Sequence, residues 1–272
     1  MAVDKKQRGK GIWKNLINHT DKITYKKYNP SVSLGFTTNP IVINAWKKKD
    51  REFPHKINNM IHINDLDKHK KYSNMAWYKQ IGYTIYKKIR KVTKNDYVQN
   101  KDVKLEFIDS FPRSYDDFWS NKREEYYFTL DRTREYMNWR YCDPRGGNYL
   151  VKSVSVNGVF LGYIVIMIDY KNEEYPIGYI VDLLAATNSQ NLLDNLIMDS
   201  LEYFESKGVN MVQSWVIEGN RNSGYLSDNG FATVNNHWFV MYRRHSDVAD
   251  IMQLGKVPGS SVYFSNGDAD SI

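Results

Sequence analysis

The feature that most restricts the fold is a self-similarity at a spacing of 180 residues. With that shift Asn15-Leu16-Ile17 falls on Asn195-Leu196-Ile197, Ile12 on Leu192 and Trp13 on Leu193. Val32 falls on Val212, Phe36 on Val216, and Asn39 lies within one residue of Asn220. Both stretches read alike, as a helical apolar stripe, a strand and then an asparagine. Repeated supersecondary units bury their faces against neighbours, so the shift points to one unit used twice. Two unrelated strand-helix-strand units of similar length are the other reading.

The second half gives the fuller succession. VKLEFIDSF reads as a strand, and SYDDFWSNKREE and DRTREYMNWRY as helices, the latter capped by Asp131. NYLVKSVSV and VFLGYIVIMI are adjacent strands joined through the hairpin dipeptide Asn157-Gly158. GYIVDLLAA, Gly178 to Ala186, is a nearly unbroken apolar run and reads as a central strand. Ser189 to Lys207 reads as a long helix ended by Gly208, VNMVQSWVI as a strand, and Asn220 to Asn229 as a short helix stopped by Gly230. FATVNN and WFVMYRRH close the chain as a last pair of strands. The order is β-α-α-β-β-β-α-β-α-β-β. In the first half the expected elements are a helix from Ile12, a strand over Ser31–Phe36, a short helix over Pro40–Trp46 and a strand over Ile57–Ile63. A basic amphipathic helix over Asn74–Lys94 and a linker over residues 92–103 follow. The fold class expected is α+β, with a largely antiparallel mixed sheet flanked by helices.

Charge divides the same way. Residues 1–104 carry a balance of +16 and residues 105–272 one of −9, within a net +7. Such halves attract each other, or else the basic face meets a polyanion, a phosphorylated cofactor or nucleic acid. KHKKY and YKKIRK pair cations with aromatics, but no nucleic-acid motif accompanies them, so nucleic acid is not the expected partner. No run of about 18 apolar residues is present, so no membrane span is expected. The first ten residues are charged and lack an apolar signal core. Cys142 is the single cysteine, which excludes an internal disulfide. A cytoplasmic location is the expectation.

Before the first helix stands QRGKGIW, Gln7 to Trp13. A helix leaves its first N–H groups unpaired and carries positive partial charge there, and glycine lets a phosphate approach them. Arg8 and Lys10 add cations. The alternative is a surface turn leading into a basic helix. These residues, with the element order of the second half, resemble the GNAT superfamily of acyl-CoA-dependent N-acyltransferases. The family's pyrophosphate motif is Gln/Arg-x-x-Gly-x-Gly/Ala, matched at Arg8 and Gly11, with Gly9 as a common extra and Trp13 as a departure. The resemblance implies acetyl-CoA or another acyl-CoA as substrate, an amine acceptor and no metal. It assigns Val3, Gln7, Arg8, Gly9, Lys10, Gly11, Ile12 and Asn39 to the coenzyme, Val3 through its backbone along the pantetheine arm and Asn39 near its amides. In the second half Ser189 and Asn191 stand where Gly9 and Gly11 do, and Asn188 and Gln190 replace the cations. That unit is expected to keep the fold and to bind acyl-CoA poorly or not at all.

Lys104 to Asp182 precedes the point that matches Met1–Ala2, and the first unit has no such stretch ahead of it. The expected organisation is therefore an incomplete unit with its connecting helix and linker over 1–103 and a complete unit over 104–272. A fragment of a longer tandem protein, an accessory layer and a homodimer that completes the first unit are the alternatives. The family's acid, a tyrosine on the helix after the fifth strand, falls here on Leu226, with Tyr225 one step off and expected to point elsewhere. Asp182 is a candidate base by its apolar surroundings, or else a carboxylate paired with an arginine or a neighbouring strand. No catalytic residue is assigned.

His55, His62 and His69 share a seven-residue spacing but bring no cysteine, which speaks against a metal site. Trp139, Arg140 and Tyr141 border the acceptor cleft if the resemblance holds. Otherwise they form a core tryptophan and a structural pair such as Arg140 with Asp143. The tail FSNGDADSI reads as a solvated terminus, or as a metal loop. The function expected is a GNAT-type N-acyltransferase. A non-catalytic binding module and a relative of the Fem-type aminoacyl transferases are the competing classes.

Overall fold

A computed structural model describes residues 4–7, 9–37, 39, 42–44, 52–72, 103–186, 190–245 and 252–269. The helix expected over 74–94 and most of the linker lie outside these residues, as do Val3 and Arg8. Alternating and continuous apolar runs become strands of one sheet, β1 (Val32–Thr37), β2 (Glu52–Ile63), β3 (Val103–Ile108), β5 (Leu150–Val156), β6 (Val159–Asp169), β7 (Ile177–Ala185), β8 (Met211–Ile217) and β9 (Ala232–Arg244). Their order is β1-β9-β2-β8-β7-β6-β5-β3, and every pair is antiparallel except β7 with β8. The fold is therefore α+β with a large mixed sheet. Two short strands, β4 (Phe128–Thr129) and β10 (Val262–Tyr263), pair in parallel away from the main sheet.

The helices are α1 (Ile12–Tyr28), α2 (Leu66–Tyr72), α3 (Ser114–Arg123), α4 (Arg134–Met137, running into a π-turn at Asn138–Cys142), α5 (Gln190–Ser206) and α6 (Asn222–Asp228). Alternate residues of β6 divide between the two faces of the sheet. Ile164 and Ile166 join α5 in one core, while Tyr163 and Val165 join α3 and Tyr141 in a second. A third core unites Ile57, Ile217, Val240 and Tyr242 of the sheet with Leu254, Val262 and Phe264 from the end of the chain.

The spacing seen in the sequence reappears in the elements. α1 and α5 are each 17 residues long; β1 and β8 follow them, and then β2 and β9. The four strands lie as β1-β9-β2-β8, so each half lends its last strand to the space beside the other half's earlier one. Exchanging β1 with β8 and β2 with β9 leaves that order unchanged.

Three local expectations are corrected. FATVNN and WFVMYRRH form one strand, β9, because β2 pairs along its length and a register shift between Ile57 and Asn59 absorbs the irregular middle. β2 begins at Glu52, earlier than its apolar pattern shows. The second helix of the later half is capped by Thr133, whose hydroxyl accepts the Tyr136 N–H; Asp131 instead accepts the Trp119 indole N–H at 2.8 Å. The hairpin at Asn157-Gly158 is present, with φ of 51° and 79° at the two residues.

Gly162 on β6 lies close against β7, opposite Ala185. A Cβ there would lie 2.8 Å from the Leu184 carbonyl oxygen and 2.8 Å from the Ala185 methyl. Backbone cannot yield cheaply, so Gly162→Ala is expected to cost about 1–3 kcal/mol. Urea unfolding of the two proteins side by side measures it.

Candidate functional site

The loop ahead of α1 starts with a 3₁₀ turn at Lys5–Gln7, closed by Gln7 N–H donating to Asp4 O at 2.9 Å. Gly9 and Gly11 then take left-handed conformations, φ 82° and 71°. Gly11 is the N-cap of α1 and, having no side chain, caps nothing. A Cβ built at either glycine meets no atom within 4 Å. The loop is exposed, and Lys10 Nζ donates to Gln7 Oε1 at 2.8 Å beside it. The start of α1 has no side-chain cap, and Ile12 there is 42% exposed. Asn39 follows β1 and starts a helical turn, its N–H donating to Thr37 Oγ1 at 3.1 Å and its carbonyl accepting from Ile43 N–H at 2.9 Å.

In the second half, protein groups occupy much of the gap between β7 and β8. β7 and β8 pair in parallel from Ile177 with Met211 to Ile180 with Ser214 and then part, beside an irregularity where β7 crosses Val165 and Ile166 of β6. Protein groups fill the gap. Asn222 Nδ2 donates to Leu183 O at 2.9 Å. The Tyr263 hydroxyl lies 2.9 Å from the same oxygen and accepts the Leu183 N–H at 3.2 Å. Asn220 Nδ2 donates to Val262 O at 3.1 Å, and Trp215 N–H donates to Asn266 Oδ1 at 2.7 Å. A cleft of about 230 Å³ remains, with Leu184, Leu193, Arg221 and Tyr225 among its walls.

The segment in the gap is the tail that the sequence presents as solvated. Phe264, Ser265 and Asn266 are buried, and the Asp268 side chain is fully enclosed. Arg132, also fully enclosed, holds it. Its Nε donates to Asp182 Oδ2 at 3.1 Å and its Nη2 to Asp268 Oδ2 at 2.6 Å, with Thr129 Oγ1 accepting from Nη1 at 2.9 Å. Tyr141 and Tyr163 hydroxyls lie 3.1 Å and 3.3 Å from Asp182 Oδ2, and Tyr263 lies 2.6 Å from Oδ1. Asp182 is thus the arginine-paired carboxylate of the two readings, with both oxygens engaged. Burial would lower the Arg132 pKa, but Asp182 and Asp268 outweigh it and raise it well above the ordinary range. Burial raises Asp268 despite the guanidinium, and burial raises Tyr141, Tyr163 and Tyr263 well above the usual phenol value.

Other sequence candidates separate. Tyr225 lines the cleft, contrary to the expectation that it points elsewhere, while Leu226 is buried against α5. Trp139 is 62% exposed rather than part of a core. Arg140 donates to Gly267 O at 3.0 Å and to Tyr149 Oη at 3.1 Å, and Asp143 pairs with Arg145 instead. His55 bonds Tyr242 and Val257, His62 bonds Asn64, and His69 bonds Tyr175. Among the described residues no group of three or more metal-ligating side chains forms. No helix among them is long and apolar enough to cross a membrane.

Removing the guanidinium leaves two buried carboxylates without a counter-charge. Arg132→Met is expected to cost about 3–5 kcal/mol near neutral pH. A carboxylate whose folded pKa is raised adds stability below its ordinary pKa and loses it as pH rises through the folded value. The cost of Arg132→Met should therefore shrink as pH falls to about 4. Thermal unfolding of both proteins across pH checks the sign, and a pH-independent cost would contradict it.

No family model matches the chain, and no curated protein matches it. Solved structures do. A GCN5-related N-acetyltransferase from Anabaena variabilis aligns at a TM-score of 0.55 and 12% identity over 90% of this chain. The alignment covers 53% of that protein, so the present chain spans about half its length. A tandem GNAT protein from the clavulanic acid biosynthesis pathway aligns at 0.54 and 15% identity over 90% of this chain and 74% of its own. The N-acetyltransferase of Sphaerobacter thermophilus aligns at 0.51 and 11%, over 89% and 70%. The fold of this chain is that of the GCN5-related N-acetyltransferases.

Proposed function

We propose that the chain is a GNAT-type N-acyltransferase that moves an acyl group from acyl-CoA to an amine, and that the coenzyme is taken at the loop before α1. The observation that carries this is the pair of left-handed glycines, Gly9 and Gly11, set before uncapped helix amides with open space beside them. A diphosphate suits that place, because the amides donate and the helix start is positive. Lys10 supplies a point charge, and Arg8 by sequence a second cation. Gln7, Ile12 and Asn39 border the same path in this reading, and Val3 precedes it. Bound there, the coenzyme supplies a thioester for attack by an amine.

In the same reading the chain carries two GNAT-like units, an incomplete one over 1–103 and a complete one over 104–272. The filled gap between β7 and β8 favours a non-catalytic role for the second. Leu183 N–H and O, which an extended ligand would need, are already bonded within the chain.

Calorimetric titration with acetyl-CoA tests the assignment. Binding to the unaltered chain is expected. Gly9→Asp and Gly11→Asp, which add a Cβ at positive φ and a negative charge, should each weaken it at least tenfold, about 1.4 kcal/mol or more. Asn222→Ala, in the second gap, should leave the affinity unchanged. Absence of heat with the unaltered chain would favour the non-catalytic class.

A further inference from the structure

Where β3 ends, β5 begins and β6 ends, a cavity of about 610 Å³ is walled by described residues. Phe107 lies opposite Lys152, and Leu150 opposite Ile166. Side chains alternate along a strand, so Phe107, Leu150 and Ile168 share the sheet face that carries α5. The last turn of α5 supplies Tyr203 to the wall. Asp109 and the loop with Asp143 and Tyr149 complete it. The volume suits a small molecule.

Two properties of the wall identify the kind of molecule. The first is apolar exposure. Phe107, Leu150 and Tyr170 are 47%, 38% and 51% exposed, and all three line this one cavity. Grouped exposure of that kind marks a binding surface. The second is charge. The charged residues of the wall are Asp109 and Asp143, and no lysine, arginine or histidine is among them. Arg145 pairs with Asp143, whereas Asp109 has no hydrogen bond or ion pair among the described residues.

The rings of the wall already take cations from the protein. Lys152 Nζ lies 4.3 Å from the Phe107 centroid while it pairs with Asp199. The Arg140 guanidinium lies 5.3 Å from the Tyr149 centroid, and Lys207 Nζ 5.4 Å from that of Tyr203. Tyr170 has no such partner among the described residues. An aromatic face attracts a cation, and a carboxylate beside it fixes the charge.

We propose that this cavity binds an organic ammonium ion with an apolar body. The ammonium donates to the Asp109 carboxylate, and the body lies against Phe107, Leu150 and Tyr170. The proposal rests on the cavity alone and holds whether or not the coenzyme takes the first loop.

The test is a titration of the full chain with phenethylamine at neutral pH, followed by backbone amide resonances. Saturable shifts are expected at residues 107–109, 148–150 and 168–170. Phenylpropionate, with a carboxylate in place of the ammonium, should bind at least tenfold more weakly. Asp109→Asn and Tyr170→Ser should each raise the phenethylamine Kd severalfold or more. The thermal unfolding midpoint should not move, since both side chains are exposed. Should either variant misfold, the comparison of the two probes on the unaltered chain decides. Absence of saturable shifts, shifts confined to other segments, or equal affinity for the two probes overturns the proposal. So does phenethylamine binding that both folded variants leave unchanged.

Discussion

The buried guanidinium of Arg132 is the interaction on which the later half depends. It stands between Asp182, on the central strand β7, and Asp268, near the end of the chain. One cation there compensates two carboxylates that could not otherwise be taken out of water. The seating of the terminal segment in the gap between β7 and β8 follows from that bridge. With Asp268 held, Tyr263 reaches the main chain of Leu183, and Asn266 meets Trp215. Tight packing completes the arrangement, for a Cβ at Gly259 would collide with the Glu218 carbonyl and one at Gly267 with the Tyr141 hydroxyl.

In the proposed reading the two halves put similar element orders to opposite uses. In the second, the parting strands enclose the chain's own terminal segment, and their free main-chain groups are spent on it. In the first, the loop keeps two glycines where the second has Ser189 and Asn191, and a Cβ at either glycine meets no atom within 4 Å among the described residues. Anion binding at a helix start depends on close approach more than on any one side chain. In the proposed reading, two residues and a few cations distinguish the loop before α1, as a phosphate site, from the sequence before α5.

Much of the fold was legible because it rests on local periodicity. The stripes of α1 and α5, the runs of β1, β7 and β8, and the Asn-Gly hairpin each carry their own signal over a few residues. The terminal segment did not. FSNGDADSI is short, polar and acidic, and by composition it belongs in solvent. The burial of residues 264–269 depends on Arg132, which lies more than a hundred positions earlier in the chain, and no local pattern encodes that complementarity. Asp182 was half legible. An acid inside an apolar run must have a partner, but the run does not name it. The polar middle of β9 makes it read as two strands, whereas pairing with β2 carries the strand across a register shift. The position of Tyr225 depends on how α6 is seated against the gap, which helical spacing alone does not set.

The central claim is that the coenzyme belongs to the first loop and not to the gap between β7 and β8. Hydrogen exchange with and without acetyl-CoA tests it most directly, because it reports both places in one experiment. The account predicts slowed exchange at residues 9–15 and unchanged exchange at residues 183–186 and 220–226. Slowing confined to the latter two segments would contradict it.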